Sequence, residues 1–185
     1  IEAKDIKSWC IVGGFNGGEI PDILANYGSC KVTVFECSKR YVTSLRERFK
    51  SSDKVTVVEK AVSNTIGKST FFETSVTGSG SLLQVGNRSS KSYGMKQAET
   101  FEVETTTLDE YFDDNIIDVL QIDVQGAEGL VLDGARKILK TTKAVFVEIS
   151  IRPDMYKDCI TFDDLIETLK QENLQLVLLG TETNG

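Results

Sequence analysis

Histidine is absent from this chain of 185 residues. The side chain most often used as a general base near neutral pH is therefore missing, and so is the commonest zinc ligand. Cysteine occurs four times, as Cys10, Cys30, Cys37 and Cys159, with no C-x-x-C pair among them. Scattered thiols without histidine argue against a zinc site and for buried or idle thiols in a reducing compartment. No apolar run approaches the roughly 20 residues that a membrane helix needs, and no signal peptide is visible. The expectation is a cytoplasmic chain with no membrane span. Basic residues are in deficit: 21 Lys and Arg face 28 Asp and Glu, for a net charge of −7. A phosphate-backbone partner wants a basic face, so no nucleic-acid partner is expected. The sequon Asn87-Arg88-Ser89 matters only in a secreted protein. Ile1 rather than Met stands first, which leaves room for a processed product or an excised domain.

What is present is ordinary globular material, 40% hydrophobic and 26% charged, of a length that fits one domain over residues 1–185. Strand-like and helix-like segments alternate, with no repeat and no linker. Residues 9–12 read as a strand and 18–27 as a helix, with Pro21 tolerable in its first turn. Residues 31–36 are β-branched and aromatic and read as a strand. Ser38 is placed to cap a helix over 39–50, with Val42, Leu45 and Phe49 on one face. Residues 55–58 give a third strand. Short strands alternating with helices predict right-handed βαβ units and a mostly parallel, doubly wound α/β sheet with helices on both faces.

The alternation then breaks. Residues 68–73 and 100–105 read as strands around a Gly-, Ser- and Thr-rich stretch, 75–98, whose length suits a lid or substrate loop. Its Arg88, Lys91 and Lys96 are placed to meet an anionic substrate. Beyond it, 119–122 is a short apolar strand, and Val131, Ala135, Ile138 and Leu139 give a helical face. Residues 144–150 read as a strand buried on both sides. Thr161 with Asp164 forms a capping pattern before Phe162, Leu165, Ile166 and Leu169, and 174–179 reads as a last strand.

Two carboxylates follow the strand at 119–122: Asp123 directly, and Glu128 where a helix begins. Open α/β sheets bind ligands beyond the carboxyl ends of their strands, so both acids are expected near a site. Glycines after the first strand, in Gly13-Gly14-Phe15-Asn16-Gly17-Gly18-Glu19, let the backbone bend sharply and approach a ligand. Their spacing is not G-x-G-x-x-G, which argues against an NAD-linked oxidoreductase. Glu36, at the end of the second strand, is placed to accept ribose hydroxyl protons, which supports an adenosine ligand without naming it.

The segment Ile122-Asp123-Val124-Gln125-Gly126-Ala127-Glu128, with Val131-Leu132-Asp133-Gly134-Ala135, resembles the signature of the FkbM-type methyltransferases. Gly14 to Glu19 is similar to that family's G-x-N-x-G-E loop, and Phe35-Glu36 to its second-strand acid. Ser79-Gly80-Ser81-Leu82, Thr106-Thr107-Leu108-Asp109 and Glu148-Ile149 fall in the same order. The resemblance covers nearly the whole chain. It implies a Rossmann-like methyltransferase fold and S-adenosylmethionine as cofactor, bound by Gly14, Asn16, Gly18, Glu19, Glu36, Ala61 and Asp123. It also implies a small-molecule or glycan acceptor whose hydroxyl, on a sugar or natural product, is methylated; oligomeric state is left open. Two positions depart from the family pattern. Val12 stands where an acid is usual before the glycine loop, and Ser150 where a histidine often follows the fifth-strand Glu. These departures motivate the alternative, a non-catalytic methyltransferase-like binding module.

Methyl transfer to oxygen is an in-line displacement, and an alcohol must lose its proton as it attacks. Without histidine, Asp123 is the first candidate base and Glu148 the second, with Glu128 as an orienting group.

Overall fold

A computed structural model describes residues 2–87, 91, 94–150 and 155–180. Five strands form a parallel sheet in the order β3-β2-β1-β7-β8: β1 (Ser8–Val12), β2 (Lys31–Glu36), β3 (Val55–Glu59), β7 (Val119–Ile122) and β8 (Ala144–Val147). Strand order reverses between β1 and β7, whose residues pair from Trp9 with Val119 to Val12 with Ile122. Three further strands, β4 (Ala61–Val62), β5 (Gly67–Thr74) and β6 (Gln97–Thr106), make a second sheet in the order β4-β6-β5. There β4 runs parallel to β6, and β5 antiparallel to it.

The central strands are apolar on both faces because helices cover both. Trp9, Ile11, Val32, Val34 and Val119 point to one core. Over it lie α1 (Ile20–Asn26), through Ile20 and Ile23, and α2 (Lys39–Arg48), through Leu45. Cys10, Val12, Phe35, Leu120 and Ile122 point to the other core. That face is covered by α3 (Leu108–Phe112), α4 (Glu128–Asp133), α5 (Arg136–Leu139) and α6 (Phe162–Gln171). The result is the doubly wound, mostly parallel α/β sheet that the alternation predicted.

The Thr107-Leu108-Asp109 motif acts here as a pair of caps. The Thr107 hydroxyl accepts the Glu110 N–H at the start of α3. The Asp109 carboxylate accepts the N–H groups of Lys137 and Ile138 at the start of α5. Each bond satisfies a donor that the first turn of a helix leaves open. Thr161 likewise caps α6 by accepting the Asp164 N–H.

Five sequence expectations need correction. Ser38 sits at the N-cap of α2 but makes no side-chain cap; its hydroxyl donates to Glu73 Oε1 at 3.0 Å. α2 ends at Arg48, not at 50, and the helical face from Val131 to Leu139 is carried by two short helices that break at Gly134. β8 stops at Val147 rather than at 150. Residues 174–179 form no strand: among the described residues this run joins no ladder, and Val177 is 92% exposed. Its composition suits a strand, but β-propensity expresses packing against neighbours, which are lacking here.

Asp118 ties the sheet together at its amino end. Its buried carboxylate accepts the N–H groups of Lys7 (2.7 Å) and Ser8 (3.0 Å) and the Ser8 hydroxyl, and pairs with Lys143 Nζ at 2.7 Å. Burial acts to raise its pKa, but the ammonium and these donors outweigh burial and hold it below the ordinary carboxylate value. Stability from this group is therefore full above the unfolded pKa, about 4, and is lost as pH falls through the lower folded value. Asp118→Ala is expected to destabilise by about 3 kcal/mol at pH 7, because it strands buried donors and a cation. Urea midpoints measured from pH 7 to pH 3 check this. The difference between variant and wild type should shrink at the acid end, and a pH-independent difference would disprove the assignment.

Candidate functional site

The exits of β1, β2 and β7 are stitched by backbone bonds. Gly13 and Gly14 both donate to the Phe35 carbonyl at 3.0 Å, and the Asp123 N–H donates to the Val12 carbonyl at 2.9 Å. Above this seam lies an open-mouthed hollow of about 640 Å³, including the solvent at its mouth. It sits at the topological switch point, beyond the carboxyl ends of the strands, where open α/β sheets bind their ligands.

Glu36 closes one side of the hollow. Its Oε2 accepts the Phe15 N–H, and its Oε1 accepts the N–H groups of Cys37 and Ser38, each at 2.8 Å. Burial raises its pKa, the three backbone donors pull it down in part, and the charge of Glu73 adds to the rise. These bonds fix both oxygens in place at the rim of the cavity. Asp123 lines the same hollow from the β7 side, and its Oδ1 accepts from Gln125 Nε2 at 2.7 Å. Ala61 and Lys60, after β3, also line it. Three of the residues singled out in the sequence, Glu36, Ala61 and Asp123, thus share one cavity.

The others support it or lie apart. Gly14 is buried behind the lining; a Cβ there would lie 2.2 Å from Val34 Cγ2. Asn16 accepts the Gly18 N–H through its Oδ1 at 2.9 Å, closing an exposed turn. Glu19 is not among the lining residues and accepts from Gln121 Nε2 at 3.3 Å. Glu128 is 2% exposed and holds the loop before α4 by accepting the Gly126 N–H at 3.0 Å; burial raises its pKa. Glu148 is exposed just past β8 and is not among the lining residues. Arg88 lies outside the described residues; Lys91 and Lys96 are exposed.

Several lining residues went unnoticed in the sequence. Phe15 has a positive φ of 42°, and its ring meets Tyr41 edge-on at 4.7 Å. Phe71 and Glu73 reach the hollow from β5. Strand alternation puts them on one face, so a charge at an inward position was the available signal. Tyr156 does not line the hollow but is buried behind Gln125, which does; its hydroxyl lies 2.9 Å from the Ser79 carbonyl and 3.2 Å from Gln125 Oε1.

The stretch expected as a lid is anchored over its first part. Ser81 pairs with Phe72 through both backbone bonds, and its hydroxyl donates to the Val124 carbonyl at 3.3 Å. Gly86 donates to the Met155 carbonyl, and Lys157 donates to that of Gln84. Glycine is needed at position 80, because a Cβ would lie 2.6 Å from the Phe71 ring.

Of the four thiols, Cys10, Cys30 and Cys37 are buried and all four are unbridged. Among the described residues no helix is long and apolar enough to cross a membrane.

The family model for the methyltransferase FkbM domain matches residues 17–176. A curated relative, the 2-O-methyltransferase NoeI of Sinorhizobium fredii (strain NBRC 101917 / NGR234), is 27% identical over 149 residues. The match takes in 75% of this chain and 61% of the relative, so the chain spans under two thirds of that protein's length. Among solved structures, one from Clostridium thermocellum, provisionally described as an rRNA-methylase, superposes with a TM-score of 0.47 at 10% identity. It covers 91% of this chain and 72% of that one.

Proposed function

This chain belongs to the methyltransferase FkbM domain family, and from that premise we propose that it is an S-adenosylmethionine-dependent O-methyltransferase acting on a hydroxyl of a sugar or natural product. The observation that carries the reading is that Glu36 and Asp123 line one hollow at the strand-order reversal. The donor set fits the cofactor: a fixed carboxylate for ribose hydroxyls, an apolar compartment for a flat base, and a second acid across the cavity. Oxygen as the accepting atom is suggested by the 2-O-methyltransferase relative.

When bound, the cofactor supplies an activated methyl group. This chain's residues would hold and orient the reactants. Glu36, already fixed by three N–H groups, accepts hydrogen bonds from the ribose hydroxyls. The glycine loop brings backbone close to the ligand, since Gly13 adopts φ +89° and lines the cavity. Asp123 accepts the acceptor's hydroxyl proton as the oxygen attacks, and Glu128 keeps the intervening loop in register.

Calorimetry with S-adenosylhomocysteine tests the reading. Saturable binding is expected, weakened about ten- to hundredfold in Glu36→Ala, as for loss of charge-assisted bonds. No binding by the wild type at millimolar ligand would remove the proposal. Val12 stands where an acid is usual and is buried in the core, which favours a second reading, a binding module without catalysis. Binding without turnover of any hydroxyl acceptor would support it.

A further inference from the structure

The apolar part of the hollow is the one left for the flat base. It is the compartment between the parallel sheet and the second sheet, lined by Cys37, Ala61, Phe71 and Leu82. Burial pushes the Cys37 thiol up, so the thiol stays neutral. These four side chains are uncharged; beside them the hollow is also lined by Glu36 and by Lys60, whose ammonium lies 3.6 Å from Glu104. Glu73, two residues after Phe71 on the same face of β5, presents its carboxylate there.

That carboxylate is held in a set orientation. Ser38 clamps both acids of the hollow: its N–H donates to Glu36 Oε1 and its hydroxyl to Glu73 Oε1. The hydroxyl forgoes the helix cap that its position would allow, which is worth about 1 kcal/mol where it forms. The other oxygen, Oε2, lies toward Gly80, at 3.4 Å from where a Cβ would stand. A glycine at that point leaves open the space beside the Phe71 ring. A flat aromatic slot with one fixed group that only accepts hydrogen bonds matches a base carrying an exocyclic amine. It mismatches a base carrying a carbonyl at that place.

We propose that Glu73 determines base specificity in the cofactor pocket by accepting a hydrogen bond from the adenine amino group, with Ser38 as its positioning residue. The inference rests on the methyl-donor reading of the hollow. Glu36 takes the ribose and Asp123 faces the reacting end, so the base falls to the compartment that Phe71, Leu82 and Glu73 close. The second sheet would thus supply the selectivity of a site otherwise built on the parallel sheet.

Calorimetry on the whole chain, with S-adenosylhomocysteine and S-inosylhomocysteine compared, tests this. Wild type should prefer the adenosine ligand by about ten- to hundredfold, because the inosine carbonyl would face a carboxylate. Glu73→Gln keeps an oxygen for the Ser38 hydroxyl and turns an amide donor toward the base. Its preference should fall to about one, through weaker binding of the first ligand and tighter binding of the second. Thermal melting confirms that the variant folds, and Glu73→Ala should bind both ligands with little preference. Equal binding of the two ligands by wild type, or an unchanged preference in Glu73→Gln, overturns the role of Glu73 and leaves the methyl-donor reading standing. Failure of wild type to bind S-adenosylhomocysteine overturns both.

Discussion

Gly13→Ala is expected to destabilise the fold by about 4 kcal/mol or more and to abolish binding of S-adenosylhomocysteine. Two effects combine at this residue. Its φ of +89° is a conformation that side chains rarely adopt, and an added Cβ would lie 1.8 Å from the Asp123 carbonyl oxygen. The first effect alone costs roughly 1–2 kcal/mol. The second cannot be relieved by turning a side chain, because the atom met is backbone at the exit of β7. Relief requires β1 and β7 to part at their exits, which breaks the Asp123-to-Val12 bond. A loss above 4 kcal/mol is rare for one substitution and marks overpacking of this kind. Controls separate the two effects. Gly94 has φ +63° with nothing within 4 Å, so Gly94→Ala should show the backbone cost alone. Gly28 has open space and no positive φ, so Gly28→Ala should be near neutral. Urea unfolding of the three variants checks the order; a Gly13→Ala loss no larger than that of Gly94→Ala would refute the steric argument.

The switch point was legible in the sequence because each of its strands advertises itself locally. β2 and β7 run between the residues expected, 31–36 and 119–122. Each is a short apolar or β-branched run ended by an acid, Glu36 or Asp123, and both acids reach the cavity. The family signature added order to these pieces, and the match over residues 17–176 agrees with it. What escaped notice depends on contacts between distant segments. The Ser38 hydroxyl had a local option, the helix cap, and takes a partner 35 residues away instead. Tyr156 lies in no motif, yet it meets Ser79 and Gln125. Residues 68–73 and 100–105 were readable as strands, but not their union with Ala61–Val62 in a separate sheet, since pairing partners are not encoded in one strand's alternation. The same gap explains 174–179, which has strand composition and no ladder among the described residues.

Asp123→Asn is expected to lower kcat about 10³-fold while leaving the affinity for S-adenosylhomocysteine within about threefold. The asparagine has the same shape, and its Oδ1 can still accept from Gln125 Nε2, so the side chain should keep its place. It cannot take a proton, and general-base assistance is worth roughly 10² to 10⁴-fold. The substitution therefore separates basicity from position. If Asp123 only orients a reactant, Asp123→Asn should keep most activity and Asp123→Ala should not. The structure also ranks the two carboxylates that the sequence offered. Asp123 lines the hollow, whereas Glu148 is exposed outside it, so Glu148→Gln should stay within about threefold of wild type. Behind Asp123 stands Gln125, with φ +55°, whose Oε1 faces the Tyr156 hydroxyl. Gly126 allows that approach, since a Cβ there would lie 2.8 Å from the Tyr156 ring. This arrangement fixes the direction in which Gln125 donates, and with it one oxygen of Asp123. Steady-state kinetics across pH with a hydroxyl acceptor decides the matter. Wild-type kcat/KM should fall on the acid side as the base is protonated, and that limb should vanish in Asp123→Asn. A variant that kept both the rate and the limb would move the base to another residue.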